Sequence, residues 1–262
     1  MMRQWRLIES GVGGAAWNMA IDEALLRTFS EGDRPLLRLY RWEPSLTLGR
    51  FQKSGESIDK ERAERLGIPS VRRMTGGGTL VHGGDLSYAL VLPRSYTHER
   101  GVKESYRRLC AFLLRLYGRL GLKAHFARDA GFSESPSASC LAGREAYDII
   151  INGAKMGGNA QRYTRHALFQ HGSIPLEIDA QRFAPLFRSV SGLSEAATLS
   201  RLGVVLDYDD VAATVREAFQ ESFDAELLPD TLSGGEERTA IELLERKYGT
   251  KEWNDEARSP MA

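Results

Sequence analysis

The chain has 262 residues, 42% hydrophobic and 27% charged, with 35 Lys+Arg balanced by 35 Asp+Glu for a net charge of zero. That balance suits a soluble globular chain and excludes a disordered one, and the lack of a global basic field argues against nucleic acid or an anionic membrane as partner. No apolar run approaches the roughly 18 residues of a membrane span, and the opening Met1-Met2-Arg3-Gln4-Trp5-Arg6 has no apolar core of a signal peptide, so a cytoplasmic location is expected.

Taken in chain order, residues 5–8 read as a short strand and 15–29 as a helix, with Ala20, Ala24 and Leu25 on its apolar face and Asp22, Glu23 and Arg27 elsewhere. Residues 36–40 and 46–48 read as strands around a turn at Glu43-Pro44-Ser45. A short helix over 59–66 ends at Gly67, a glycine cap. Strand-like runs follow at 71–73, 79–82 and 86–92, then the longest helix at 103–120, closed by Gly121. Residues 147–151, 155–156 and 168–174 read as strands, while 179–187, 208–223 and 235–248 read as helices; the tail after Trp253 is polar and expected to fray. Strands in the centre with helices collected elsewhere predict an α+β fold, a mixed β-sheet flanked by helices. Residues 1–230 form the expected catalytic domain, with 231–262 a short helical extension too small to stand alone.

Two cysteines occur. Cys110 falls on the apolar periodicity of the long helix, where cysteine behaves as a small core residue. Cys140 sits in a polar loop between Asp129 and Gly143 that carries Ser133, Ser135, Ser137 and Ser139, a loop expected to be mobile. It is either incidental or a nucleophile, since thiolate chemistry needs access and a lowered pKa. The two environments differ, so free thiols are expected.

The stretch Arg72-Arg73-Met74-Thr75-Gly76-Gly77-Gly78-Thr79-Leu80-Val81-His82 places three glycines between strand-like runs. Such a loop is either a flexible hairpin tip or a place where backbone N–H groups meet a ligand, with Arg73 available to a phosphate or carboxylate. No Gly-Lys-Ser/Thr follows, so it is not a Walker loop. Downstream, Asn152-Gly153 signals a two-residue hairpin and sets Lys155 near Gly157 and Gly158. That lysine is either a solvated surface charge or, beside a thiol, a group that favours the thiolate and steadies an oxyanion. His171, between Gln170 and Gly172, is either structural or a polar contact for substrate. No spacing suggests a metal site.

As a set these stretches resemble the lipoate–protein ligase and octanoyltransferase superfamily over roughly residues 4–225. The segments that carry the resemblance are Trp17-Asn18-Met19-Ala20-Ile21-Asp22-Glu23-Ala24, Leu48-Gly49-Arg50-Phe51-Gln52, Arg72 to Gly78 with His82, Gly153-Ala154-Lys155-Met156-Gly157-Gly158-Asn159-Ala160-Gln161 and Gln170-His171-Gly172-Ser173. The resemblance implies a class II biotin/lipoate ligase-like catalytic domain. It also implies Cys140 and Lys155 as catalytic residues, and Arg73, Gly76, Gly77, Gly78, His82, Gly157, Gly158 and His171 as substrate-binding residues, with no metal.

The superfamily holds two chemistries. Its ligases activate lipoate with ATP and Mg and lack a catalytic cysteine; its transferases move octanoyl from acyl carrier protein onto a cysteine and then to an acceptor lysine, without a cofactor. Ser137-Ala138-Ser139-Cys140, with Tyr147 and Lys155 following, resembles the cysteine-bearing segment of Gram-positive-type octanoyltransferases. The third glycine, Gly78, departs from that pattern and is the form common in ligases. The nucleophile outweighs it, because a nucleophile defines the reaction. The resemblance therefore implies an octanoyltransferase, with octanoyl-acyl carrier protein as donor and a lipoyl-domain or glycine cleavage H-type protein as acceptor. The alternatives are an ATP-dependent ligase, a lipoyl or octanoyl amidotransferase, or a non-catalytic acyl-carrier-binding protein.

Overall fold

In the computed structural model, residues 2–96, 101–129, 131–132 and 145–258 are described. Its elements run in chain order as β1 (Arg3–Gly13), α1 (Ala15–Thr28), β2 (Leu36–Trp42), β3 (Ser45–Leu48), α2 (Ser54–Ser57), α3 (Lys60–Arg65), β4 (Ser70–Arg72), β5 (Leu80–His82) and β6 (Asp85–Pro93). Then follow α4 (Gly101–Arg119), β7 (Ala124–Phe126), β8 (Ile149–Ile151), β9 (Ala154–Lys155), β10 (Gly158–Tyr163) and β11 (Ala167–Pro175). The chain continues through α5 (Ala180–Phe183), α6 (Tyr208–Phe223), β12 (Ala225–Asp230), α7 (Gly234–Leu243), a π-helical turn (Leu244–Tyr248) and α8 (Lys251–Glu256).

A six-stranded sheet in the order β10-β11-β6-β2-β1-β12 forms the centre, flanked by three-stranded sheets β4-β3-β5 and β7-β8-β9. β1 runs parallel to both β2 and β12, whereas β2, β6, β11 and β10 pair antiparallel. The sheet is mixed, as the sequence predicts.

Side chains alternate across a strand, and β6 uses both faces. Leu86, Tyr88, Leu90 and Leu92 enter a core with Leu109, Phe112, Leu113 and Leu116 of α4 and Val211, Val215 and Phe219 of α6. Ala89 and Val91 face the opposite way, into a core shared with Met19, Ala20 and Ala24 of α1 and Ala240 and Leu243 of α7. Two buried faces explain why β6 is apolar with little alternation.

The long helices stand where their periodicity places them: α1 and α4 lie within two residues of expectation, and α6 coincides with it. Gly67 and Gly121 take positive φ after α3 and α4. Asn152 and Gly153 have φ of 50° and 82°, the paired positive values a tight hairpin requires.

Several expectations are corrected. Asp22 and Glu23 are buried on α1 alongside its apolar residues, because ion pairs compensate their burial, Asp22 with Arg38 and Glu23 with Arg27 and Lys247. The tail does not fray at Trp253; α8 continues to Glu256, capped by the Thr250 hydroxyl, with Trp253 fully buried. β7, β10 and β12 carry no strong alternation of their own and take their pairing from β8, β11 and β1. The serine-rich stretch 133–139 and Cys140 lie outside the described residues, as does the mobility expected of that loop.

Candidate functional site

The glycine loop after β4 is built around Arg73, which is 3% exposed. Its guanidinium donates to the carbonyl oxygens of Gly76 (2.8 Å), Gly78 (2.9 Å) and Thr47 (3.0 Å), and to the hydroxyls of Thr47 (3.2 Å) and Thr75 (3.4 Å). Arg73, which the sequence makes available to a phosphate or carboxylate, donates here to its own loop and to Thr47 and ties the loop's carbonyls inward. Gly77 sits at the tip with φ of 96°, in the left-handed region that glycine enters without strain.

Two parallel chains of side chains converge on Arg73. In the first, His171 Nε2 lies 2.7 Å from the Thr75 hydroxyl and Nδ1 lies 3.4 Å from Asp22 Oδ2. Asp22 also accepts from Arg38 at 2.7 Å and the Tyr40 hydroxyl at 2.9 Å. In the second, His82 Nε2 lies 2.9 Å from the Thr47 hydroxyl and Nδ1 lies 3.0 Å from Asp85 Oδ2. Asp85 also accepts from the hydroxyls of Ser87 and Ser173.

In both chains the carboxylate fixes the imidazole with its proton on Nδ1, leaving Nε2 to accept a threonine hydroxyl. Each threonine oxygen then accepts from Arg73. Burial pushes the His171 imidazole below the ordinary histidine range, against the Asp22 carboxylate that would raise it. Burial also opposes ionisation of Asp85, yet the neighbouring His82 imidazole and the hydrogen bonds from His82, Ser173 and Ser87 hold its carboxyl below the ordinary range. His82 stacks on Trp42 with 4.1 Å between ring centres.

The second half of the site hangs on the β9–β10 strands. Lys155 is buried, its Nζ 2.7 Å from Asp148 Oδ2, so the reading of Lys155 as a solvated hairpin charge does not hold. Gly157 has φ of 72°, and a Cβ there would lie 2.0 Å from the Ser173 carbonyl oxygen, so only glycine lets the strands close. Gly158 pairs with Ser173, whose hydroxyl reaches Asp85. The fold thus brings Arg73, the three glycines, His82, His171, Gly157 and Gly158 into one continuous network, and Lys155 joins it along the main chain. Cys140 lies outside the described residues. Cys110 is the core residue its periodicity predicts: buried, beside Gln170, with its thiol pushed well above the ordinary range by desolvation.

Asp22, Asp85, Thr47 and Thr75 were not singled out as functional residues in the sequence. Asp22 and Thr75 lie inside the quoted motifs without a mark of their own, and Thr47 and Asp85 stand on buried strands outside them. Asp148, the partner of Lys155, had only its nearness in sequence to mark it. Among the described residues, no cluster of three His, Cys, Asp or Glu side chains could hold a metal ion, and no helix is long and apolar enough to cross a membrane.

The family model for the lipoyl protein ligase A/B catalytic domain matches residues 14–220, a span that contains every residue of these networks. The chain belongs to this family. Among relatives of this lipoyl protein ligase A/B domain, an octanoyltransferase LipM from Kyrpidia tusciae is 36% identical over 97% of the chain and 99% of its own length. An octanoyltransferase LipM from Halalkalibacterium halodurans is 33% identical over the same shares. Solved structures give the fold independently. A lipoate-protein ligase A bound with ATP superposes with a TM-score of 0.84 at 27% identity, covering 98% of this chain and 100% of that one. A putative lipoate protein ligase from T. acidophilum with bound lipoic acid gives 0.82 at 27%, covering 97% and 100%. The lipoate ligase-like catalytic fold expected from the motifs is therefore the fold of this chain.

Proposed function

We propose that the chain is an octanoyltransferase that carries octanoyl from acyl carrier protein, through a thioester on Cys140, to a lysine of a lipoyl-domain or glycine cleavage H-type protein. The observation that carries this reading is near full-length identity of 31–36% to proteins named octanoyltransferase LipM. The ligases it resembles in fold are more distant, at 27%.

In the first step the Cys140 thiolate attacks the donor thioester carbonyl. A C–S bond forms, the carbonyl electrons move onto oxygen, and collapse expels the carrier thiolate, which takes up a proton. In the second step the neutral amine of the acceptor lysine attacks the Cys140 thioester; an amide forms, the cysteine leaves, and the amine proton passes to a base. Both steps develop charge on one oxygen. Backbone N–H groups of the Gly76–Gly78 loop and the Lys155 ammonium supply donors of the kind that stabilise it, and Arg73 holds the loop from behind. An octanoyl chain held in an apolar site would gain about 0.8 kcal/mol for each methylene buried. Because a thioester donor is already activated, this route needs neither ATP nor Mg. A free acid donor would need both.

The test is intact-mass spectrometry after incubation with octanoyl-acyl carrier protein and no ATP. One added octanoyl group, absent in Cys140→Ala and released by hydroxylamine, is expected. No adduct, together with ATP-dependent modification of a lipoyl domain by free lipoate, would make the chain a ligase and Cys140 incidental.

A further inference from the structure

Arg72, the neighbour of Arg73, faces away from the glycine loop and takes no part in the networks above. It is 1% exposed, and among the described residues no carboxylate lies within ion-pair distance of it. The Asp255 carboxylate acts on it only through space, so hydrogen bonds from the cation must find dipoles, and here two stretches of main chain supply them. From one side, Nη1 donates to the carbonyls of Gly49 (3.0 Å), Arg50 (3.0 Å) and Gln52 (2.6 Å). From the other side come the last carbonyls of α8: Nε donates to Trp253 (3.0 Å) and Nη2 to Asn254 (3.1 Å) and Asp255 (3.4 Å).

The main chain of Arg72 repeats the connection. Its N–H donates to Asn254 Oδ1 at 2.9 Å, and its carbonyl accepts from the Trp253 indole at 2.8 Å. The Arg50 guanidinium lies over the Trp253 ring, 4.7 Å from its centre.

The loop held this way is the wall against which the glycine loop rests. Arg50 N–H donates to the Thr75 carbonyl at 2.8 Å, and the Gln52 side chain accepts from both Gly49 N–H and the Thr79 hydroxyl. From these contacts we infer that α8 is a strap: through Arg72 it fixes residues 49–52, and through them the glycine loop, so that Arg72 and Trp253 are positioning residues for acyl transfer. The strap's effect on turnover rests on the proposed transferase reading; its effect on loop order does not.

The experiment compares full-length Trp253→Phe, which keeps an aromatic ring but loses the indole N–H, and Arg72→Lys, which keeps the charge but loses the fork. The control is Tyr248→Phe, which loosens the same C-terminal segment by breaking its bond to Glu23 and does not touch Arg72. Two readouts are taken well below the melting temperature: amide hydrogen exchange, which measures local opening, and steady-state octanoyl transfer. Both test variants are expected to speed exchange at residues 49–52 and 75–78 while β6 and β11 stay protected. Turnover is expected to fall about ten- to a hundredfold, as displacement of a positioned site by an ångström does, with little change in the Michaelis constant for donor. Tyr248→Phe is expected to lower the melting temperature without either effect.

Parent-like exchange at both loops, or equal exchange in Tyr248→Phe, would overturn the strap. Faster loop exchange with unchanged turnover would overturn its link to catalysis. If the parent transfers no octanoyl, the proposed function fails and the exchange result still decides the strap. Should Trp253→Phe not fold, Asn254→Ala, which removes the acceptor of Arg72 N–H, reads the same coupling.

Discussion

Replacing Gly49 by alanine tests how tightly the two loops must meet. A Cβ at Gly49 would stand 1.8 Å from the Gly77 carbonyl oxygen and 2.9 Å from its carbon. Restoring ordinary contact requires the loops to part by about 1.5 Å. That displacement breaks the 2.8 Å bonds from Arg50 N–H to Thr75 and from Arg73 N–H to Leu48, at roughly 0.5–1.5 kcal/mol each. Stability should fall by about 1–3 kcal/mol, and the melting temperature by about 2–4 °C for each kcal/mol. Transfer should fall further, by about a hundredfold, because an ångström of misplacement costs that much in a preorganised site. Octanoyl transfer to a lipoyl domain, read by intact mass beside thermal melts, measures both. Gly55→Ala, whose Cβ meets nothing within 4 Å, serves as control. If Gly49→Ala melts like the parent and transfers within about twofold of it, the close approach of the loops is irrelevant to the site and the reasoning fails.

Asp22→Ala removes the carboxylate beside fully buried Arg38, and an uncompensated buried cation should cost about 3–5 kcal/mol in chemical denaturation. Gly118 lies exposed on α4 with open space around its Cβ position; Gly118→Ala should raise stability by about 0.5–1 kcal/mol with transfer unchanged. His171 has a folded-state pKa below its unfolded one, so the unfolded chain binds more protons between the two values and stability rises with pH there. Denaturant midpoints should therefore drop as pH falls below about 6.5, and His171→Gln should flatten the drop; an unchanged slope in that variant would assign it to other groups.

The parts of the fold that could be read in advance are those fixed by local rules. α4 and α6 have strong apolar periodicity, and the 152–153 hairpin is set by two residues that tolerate positive φ. β10 and β12 could not be read the same way, since their pairing energy comes from strands far along the chain. The site divides similarly. Its glycines, histidines and Lys155 lie in compact motifs, whereas Asp22 meets His171 and Asp85 meets Ser173 only through the sheet register. Asp22 looked like a solvent-facing helix residue because periodicity counts hydrophobicity and cannot see that Arg38 and Tyr40 are waiting across the sheet. α8 was missed because a polar tail with one tryptophan looks loose until Arg72 supplies its partner.

The bonds between Arg72 and Trp253 span 181 residues, which bears on how the molecule is made. A chain synthesised at about 5–20 residues per second exposes Arg72 and the glycine run many seconds before α8 emerges to cover them. During that interval Arg72 has only water for half of its partners, and β1 waits likewise for β12. Contacts of such long range form late and slowly. A nascent chain can therefore carry every motif of the site and still be inert, and truncation products that end before Trp253 would lack the contact that completes it.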